Sequence, residues 1–171
     1  LMVRSFIRLN AIDNGFDPDR LLAVTVGLDG TRYGDEHARH AFLRGLADDV
    51  AAIPGVTGVA FASGLPPSPG TIGMAEISTE TGPCTPERTP IVSNFVSDAY
   101  FGLMGIRLIA GRSLRADDPP DAVVVSQTVA RLCGGSIVGR SLRLDRKAPP
   151  LHVVGVAADV KTLGLTAEDG A

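Results

Sequence analysis

No tryptophan occurs in this chain, and aromatic residues of any kind make up only 5% of it. A core must therefore be built from Val, Leu, Ile and Ala. Cysteine is scarce as well: Cys84 and Cys133 do not make a disulfide framework; a single bridge between them is open in an oxidising compartment, but free thiols are the expectation, with Cys133 buried near a helix end. No apolar run approaches the roughly 18 residues of a membrane helix. The longest, Val153 to Ala158, has the length of a buried strand. Basic excess is absent too. A net charge of −3 excludes a nucleic-acid surface, which needs concentrated Lys and Arg. No charged-then-apolar leader opens the chain, and Leu1 rather than Met stands first, so it reads as an excised piece.

What is present is an ordinary globular composition, 44% hydrophobic and 20% charged, spread over 171 residues. That length suits one sizeable domain or two small lobes. Glycine (20) and proline (12) are plentiful, which predicts many turns and short elements.

Leu1 to Asn10 reads as a helix end, with Met2, Phe6 and Leu9 on one face and Arg4 and Arg8 on another. It fits either a short amphipathic helix on its own domain or the edge of a membrane helix, where Arg4, Phe6 and Arg8 would be membrane-proximal. Leu22 to Leu28 alternates cleanly and predicts a half-buried strand. A helix is expected from about Glu36 to Ile53, capped by Asp35, with Ala38, Phe42, Leu46, Val50 and Ile53 as its apolar stripe. Pro54-Gly55 stops it, and Val56 to Ser63 predicts a second strand, giving a βαβ unit over residues 15–65.

The proline-rich segment Leu65 to Gly73 marks a boundary to a second, mixed α/β lobe over 66–160. Strands are expected at Met74–Glu80, Pro90–Val96, Ala122–Val125, Ser141–Asp145 and Leu151–Ala158. A short helix over Gln127–Cys133 is capped by Ser126 and ended by Gly134-Gly135. The fold class is α+β and two-lobed, with 1–14 as a membrane-proximal helix end and 161–171 as a return segment.

The chemistry-bearing patterns have plainer readings. Gly134 to Ser141 nearly spells a phosphate loop, with Arg140 in place of Lys. A phosphate loop must join a strand to a following helix, and here the order is inverted. His37 and His40 fall on a solvated helix face, away from Phe42 and Leu46. His152, in a buried strand pattern, reads as a satisfied or edge histidine. Asp117, Asp118 and Asp121 do not match a calcium loop, and Pro119-Pro120 interrupts them, so a solvated loop is expected. No serine elbow surrounds Ser63 or Ser126. These readings assign no catalytic residue, no metal site and no cofactor.

The most informative stretch is Asp98 to Arg112. Asp98 reads as an N-cap, Gly105 as a left-handed helix stop, Ile106 to Ala110 as extended, and Gly111 as a sharp change of direction. The string Tyr100-Phe101-x-x-Met104-Gly105-Ile106-x-Leu108-x-x-Gly111-Arg112 resembles a recurrent motif of the extracytoplasmic core domain of MacB-like ABC transporter permeases, with Met104 where Leu is usual. Further blocks resemble the same family in the same order. They are Arg4-Ser5-Phe6 with Gly15-Phe16-Asp17, then Pro54-Gly55-Val56 with Leu65-Pro66, then Val153-Val154-Gly155-Val156 with Asp159-Val160 and Gly164-Leu165. Details look nearest to the duplicated permeases that lack their own ATPase.

The resemblance implies a non-catalytic domain on the extracytoplasmic (periplasmic) side of the inner membrane, with a porter-like lobe and a smaller inserted lobe. It implies as partners the protein's own membrane helices and a cytoplasmic ABC ATPase subunit, with a periplasmic adaptor or a homodimer as further candidates. It marks Tyr100, Phe101, Gly105, Gly111, Arg112, Gly155 and Asp159 as structural motif residues. The family domain usually continues past the position matching Leu165. The first lobe is therefore expected to dimerise or to be poorly ordered. A membrane-tethered ligand-binding sensor is the rival from another class.

Overall fold

The computed structural model describes residues 15–17, 20–66, 70–85 and 88–160. Arg4, Phe6 and Arg8, the helix end at 1–14 and the return segment at 161–171 lie outside them. The described residues form a mixed α+β structure of three helices and eight strands.

A single strand organises the larger sheet. Leu151–Ala157 (β8) carries the apolar run expected of a buried strand, and Val153 and Val156 are almost fully buried. Ala122–Ser126 (β6) pairs with it in parallel. The other edge of β8 is shared. Ser141–Arg143 (β7) pairs antiparallel with its first residues, and Leu108–Gly111 (β5) pairs antiparallel with its last. Ser78–Thr79 (β2) and Gly82–Pro83 (β3) form a small hairpin that extends this sheet beyond β7. Thr71–Ala75 (β1) and Thr89–Ser93 (β4) make a separate two-stranded ribbon.

Successive residues of a strand face opposite ways, so one strand can serve two cores. Val125 joins a cluster with Ile77, Ala130, Ile137, Leu142, Val153 and Val156, and its neighbour Val124 packs on the other, around Tyr100, Met104, Ile106 and Ala157. Gln127–Leu132 (α3) starts at Ser126, whose hydroxyl accepts from the Val129 amide at 3.2 Å, and ends at Gly134 and Gly135, both with φ 87°. The helix Glu36–Ala51 (α1) is capped by Asp35, which accepts from the Ala38 amide at 3.0 Å. Its predicted last residue, Ile53, lies beyond the helix and is exposed.

Several expectations are corrected. The alternating stretch at 22–28 and the expected strand at 56–63 carry no strand ladder among the described residues; in the second, Ala62 forms an isolated bridge to Val96. Leu22 is 91% exposed and Val24 74%. Alternation chooses a face, but a strand also needs a neighbour, and the sequence does not name one. The predicted strand at 74–80 splits, because Glu76 and Ile77 leave the ribbon and drop Ile77 into the core.

Asp98 does not cap the one-turn helix Tyr100–Leu103 (α2): Ala99 holds the cap position, and the Asp98 carboxylate accepts from the Ala99 amide instead. His152 is exposed, since β8 begins at the margin of the sheet. Cys84 and Cys133, expected as free thiols, form a disulfide across 49 residues of sequence. Pairing over such a separation is set by tertiary folding, which the count of cysteines does not reveal.

Candidate functional site

The motif residues from separate blocks of sequence meet where β5 crosses β8. Gly111 lies opposite Gly155 in the ladder, and the Arg112 amide donates to the Val154 carbonyl at 3.0 Å. Gly111 has φ 69°, a left-handed conformation that glycine adopts without a Cβ penalty. A Cβ on Gly111 would come within 2.9 Å of the Gly155 Cα, and one on Gly155 would overlap the Arg112 backbone. The two strands therefore approach more closely than any side chain allows at either position.

The chain leaving β5 is clamped at once. The Arg112 guanidinium donates to both carboxylate oxygens of Asp118, at 2.7 and 2.6 Å. It also donates to the Ser113 carbonyl, and the Arg115 amide donates to Asp118 at 2.9 Å. A two-pronged Arg–carboxylate pair fixes orientation as well as distance. The Arg112 hydrogen bonds hold the Asp118 carboxyl below the usual carboxylate range, the Arg115 amide adds to this, and desolvation opposes it. The acidic loop expected to be solvated is therefore in part a latch: only 10% of the Asp118 side chain is exposed.

Beyond β8, Asp159 reaches the start of α3. It accepts from the Thr128 amide and hydroxyl, both at 2.9 Å, and forms a looser pair with Arg131 at 3.4 Å. A carboxylate there satisfies a helix amide that lacks an intrahelical acceptor, and it suits the positive end of the helix dipole.

Tyr100, Met104 and Ile106 are buried together, and Phe16, Leu65, Phe101 and Val160 pack partly buried against them. Tyr100 and Phe101 meet edge to face with centroids 5.5 Å apart, a favoured aromatic geometry. Burial raises the Tyr100 phenol above its usual pKa, and a hydrogen bond to Asn94 opposes this. Gly105, at φ 67°, turns the chain after α2, and the preceding Met104 carbonyl accepts from the Asp17 amide at 2.9 Å. Gly15 abuts the Asp159 backbone so closely that a Cβ would not fit. Gly15-Phe16-Asp17, Leu65, the Tyr100-to-Arg112 block and the Val153-to-Val160 block thus meet in one interlocked body.

Beside this interlock lies an open cleft of about 490 Å³, lined by Gly15, Phe16, Asp17, Gly105, Arg107, Gln127, Ala158 and Asp159. Among the described residues no group of His, Cys, Asp or Glu is arranged to hold a metal. The phosphate-loop lookalike is a helix stop: Arg140 donates to the Thr79 and Thr81 hydroxyls, at 3.2 and 2.6 Å, and so ties the β2–β3 hairpin to the turn before β7. His37 and His40 are exposed on α1. Sequence reasoning did not find Asp118 or Thr128. The spacing Arg112-x5-Asp118 was the available signal for the first, and nothing local pointed to the second.

Comparison with family models matches residues 3–170 to the MacB-like periplasmic core domain. Among solved structures, the chain is similar to the periplasmic region of MacB from Actinobacillus actinomycetemcomitans, with 19% identity and a TM-score of 0.47, covering 77% of this chain and 57% of that one. It is also similar to the extracellular domain of the noncanonic ABC-type transporter YknZ from Gram-positive bacteria, with 18% identity and a TM-score of 0.47, covering 66% and 55%. The chain spans about half the length of the solved structures it matches. Comparison with curated proteins found no match. No helix among the described residues is long and apolar enough to cross a membrane.

Proposed function

This chain belongs to the MacB-like periplasmic core domain family, and from that premise we propose that it is a non-catalytic, extracytoplasmic transmission element of an ABC-type efflux permease. Its work is to carry motion driven by a cytoplasmic ABC ATPase, through the protein's own membrane helices, to whatever the outer face engages. A periplasmic adaptor or a second copy of the domain would be engaged there.

The observation that supports this reading is the interlock itself. Gly111 against Gly155, Arg112 on Asp118 and Asp159 on Thr128 brace β5, β8 and α3 against one another. Close-packed, cross-braced elements move as one body and pass displacement on with little internal yielding. The same residues are engaged in structure: Arg112 pairs with Asp118, and Asp159 bonds Thr128 and Arg131 of α3.

The residues Tyr100, Phe101, Gly105, Gly111, Arg112, Gly155 and Asp159 act here as structural parts of the transmitting body, and Arg4, Phe6 and Arg8 as its membrane-proximal attachment. The division into a porter-like lobe at 15–65 and an inserted lobe at 66–160 belongs to the same proposal. The cleft lined by Asp17, Arg107 and Gln127 favours the second reading, a ligand-binding sensor.

Reconstitution of the intact permease with its ATPase distinguishes the two. Loosening the clamp with Arg112→Gln is expected to lower export per ATP hydrolysed while hydrolysis continues. Unchanged coupling in that variant, together with saturable ligand binding abolished by Arg107→Ala, would favour the sensor.

A further inference from the structure

The Cys84–Cys133 disulfide joins the turn after β3 to the end of α3, across the first core cluster. Cys84 follows β3, and Cys133 caps the C-terminal end of α3. Between them sits Ile77, only 1% exposed and central to the first core cluster. Ile77 is held from both sides by the turn that carries Cys84. Its carbonyl accepts from the Cys84 amide at 2.7 Å and the Thr85 amide at 3.3 Å, and its own amide donates to the Thr85 hydroxyl at 3.2 Å. Thr85 is the buried polar residue of this core.

Apart from Ile77, the strand pairing that attaches the same segment is short. β2 meets β7 over two residue pairs, Ser78 with Arg143 and Thr79 with Leu142. Arg140 adds hydrogen bonds to Thr79 and Thr81. Two-residue ladders are marginal by themselves. The rest of the sheet does not share this dependence, since β6 pairs with β8 over five residues and β5 pairs with the last residues of β8.

The two cysteine residues are also unequally placed. Cys133 is buried in the cluster, at 9% exposure, whereas Cys84 is half-buried at its margin. Exchange rates depend on which sulfur an attacking thiolate can reach.

We propose that Cys84–Cys133 is a thiol–disulfide exchange site, attacked at the Cys84 sulfur, and that the bond latches the β2–β3 segment onto the core. In the opening step a thiolate of an external dithiol attacks the Cys84 Sγ. The S–S bond breaks, and Cys133 leaves as a thiolate that takes a proton. The second thiol of the dithiol then displaces Cys84 as a thiol and becomes a disulfide itself. Two electrons and two protons pass from the dithiol to the protein. The oxidised state is the latched one, which suits an extracytoplasmic compartment where disulfides persist. The reduced state keeps β5, β6 and β8 and releases residues 76–85.

The test treats the oxidised, folded chain with glutathione and maps adducts by peptide mass spectrometry, then follows hydrogen exchange after full reduction with dithiothreitol. We expect glutathione on Cys84 at least tenfold over Cys133. Exchange should rise at least tenfold in residues 76–85 and 142–143, with β6 and the C-terminal half of β8 unchanged. The variant C84S/C133S should show the same local pattern without reductant. Equal labelling of both cysteines, reaction only on global unfolding, or a uniform rise in exchange across all strands would overturn the proposal.

Discussion

Gly111 and Gly155 stand opposite each other where β5 meets β8, and neither position has room for a Cβ. The contact brings the Tyr100-to-Arg112 block against the Val153-to-Asp159 block with backbone on backbone. Alanine at Gly155 would meet the Arg112 main chain, which cannot swing aside as a flexible side chain could. Gly155→Ala is therefore expected to destabilise by about 1–3 kcal/mol, the range for overpacking a tight site. Gly111→Ala should cost at least as much, since a left-handed alanine adds roughly 1–2 kcal/mol. Gly102, inside α2 with open space around it, is the control: Gly102→Ala should be neutral or stabilising by up to about 1 kcal/mol. Urea unfolding of the three variants checks the set.

The Arg112–Asp118 pair predicts a defined pH dependence. The Asp118 carboxyl is held below its usual value in the folded state, first by the Arg112 hydrogen bonds. Its contribution to stability is fully present above the unfolded carboxylate pKa of about 3.9 and fades as pH falls through the lower folded value. Asp118→Asn should therefore melt below the parent chain at pH 7, and the two melting temperatures should converge on acidification below about pH 4. A gap that stayed constant to pH 2 would assign the loss to packing instead.

Asp159 and Ser126 both serve the first turn of α3. Ser126→Ala and Asp159→Ala are each expected to cost about 1 kcal/mol, the scale of a lost helix cap. Because both removals act on one short helix, the double variant should deviate from the sum of the singles. Thermal melts of the two single variants and the double variant decide this. Strict additivity would mean that the two groups act on independent structures.

The first core supplies a contrast between burial and hydrophobicity. Ile137, with 0% exposure, should cost about 2–5 kcal/mol on truncation to alanine. Ile72, 57% exposed on the β1–β4 ribbon, should change stability by less than about 0.5 kcal/mol. Chemical denaturation of both variants measures the difference.

Much of this was written in local signals, which physics ties to single residues. Gly105 and Gly111 adopt the left-handed conformations that their places in the pattern require. Asp35 and Ser126 cap helices because a short acceptor precedes a helical run in each case. The apolar run at Val153 gave the central strand. Relations between distant residues were not legible in this way. Alternation at Leu22 to Leu28 could not supply a pairing partner. Cys84 and Cys133 are joined by a fold that the cysteine count does not encode. Asp118 lies in a loop whose composition reads as solvated, and its side chain is mostly buried because the loop turns back onto Arg112. The family blocks were visible as strings, but their convergence in one body emerged only in three dimensions.

The proposed transmission role requires this domain to move as one piece during the transport cycle. In the intact permease in liposomes, fluorophores on non-canonical residues at the exposed positions Arg107 and Arg146 report internal distance, and energy transfer from Arg146 to labelled lipid reports distance from the membrane. Rigid transmission predicts that ATP binding changes the domain-to-membrane distance while the Arg107–Arg146 distance holds. An unchanged membrane distance in every nucleotide state, or a change confined to the internal pair, would contradict it.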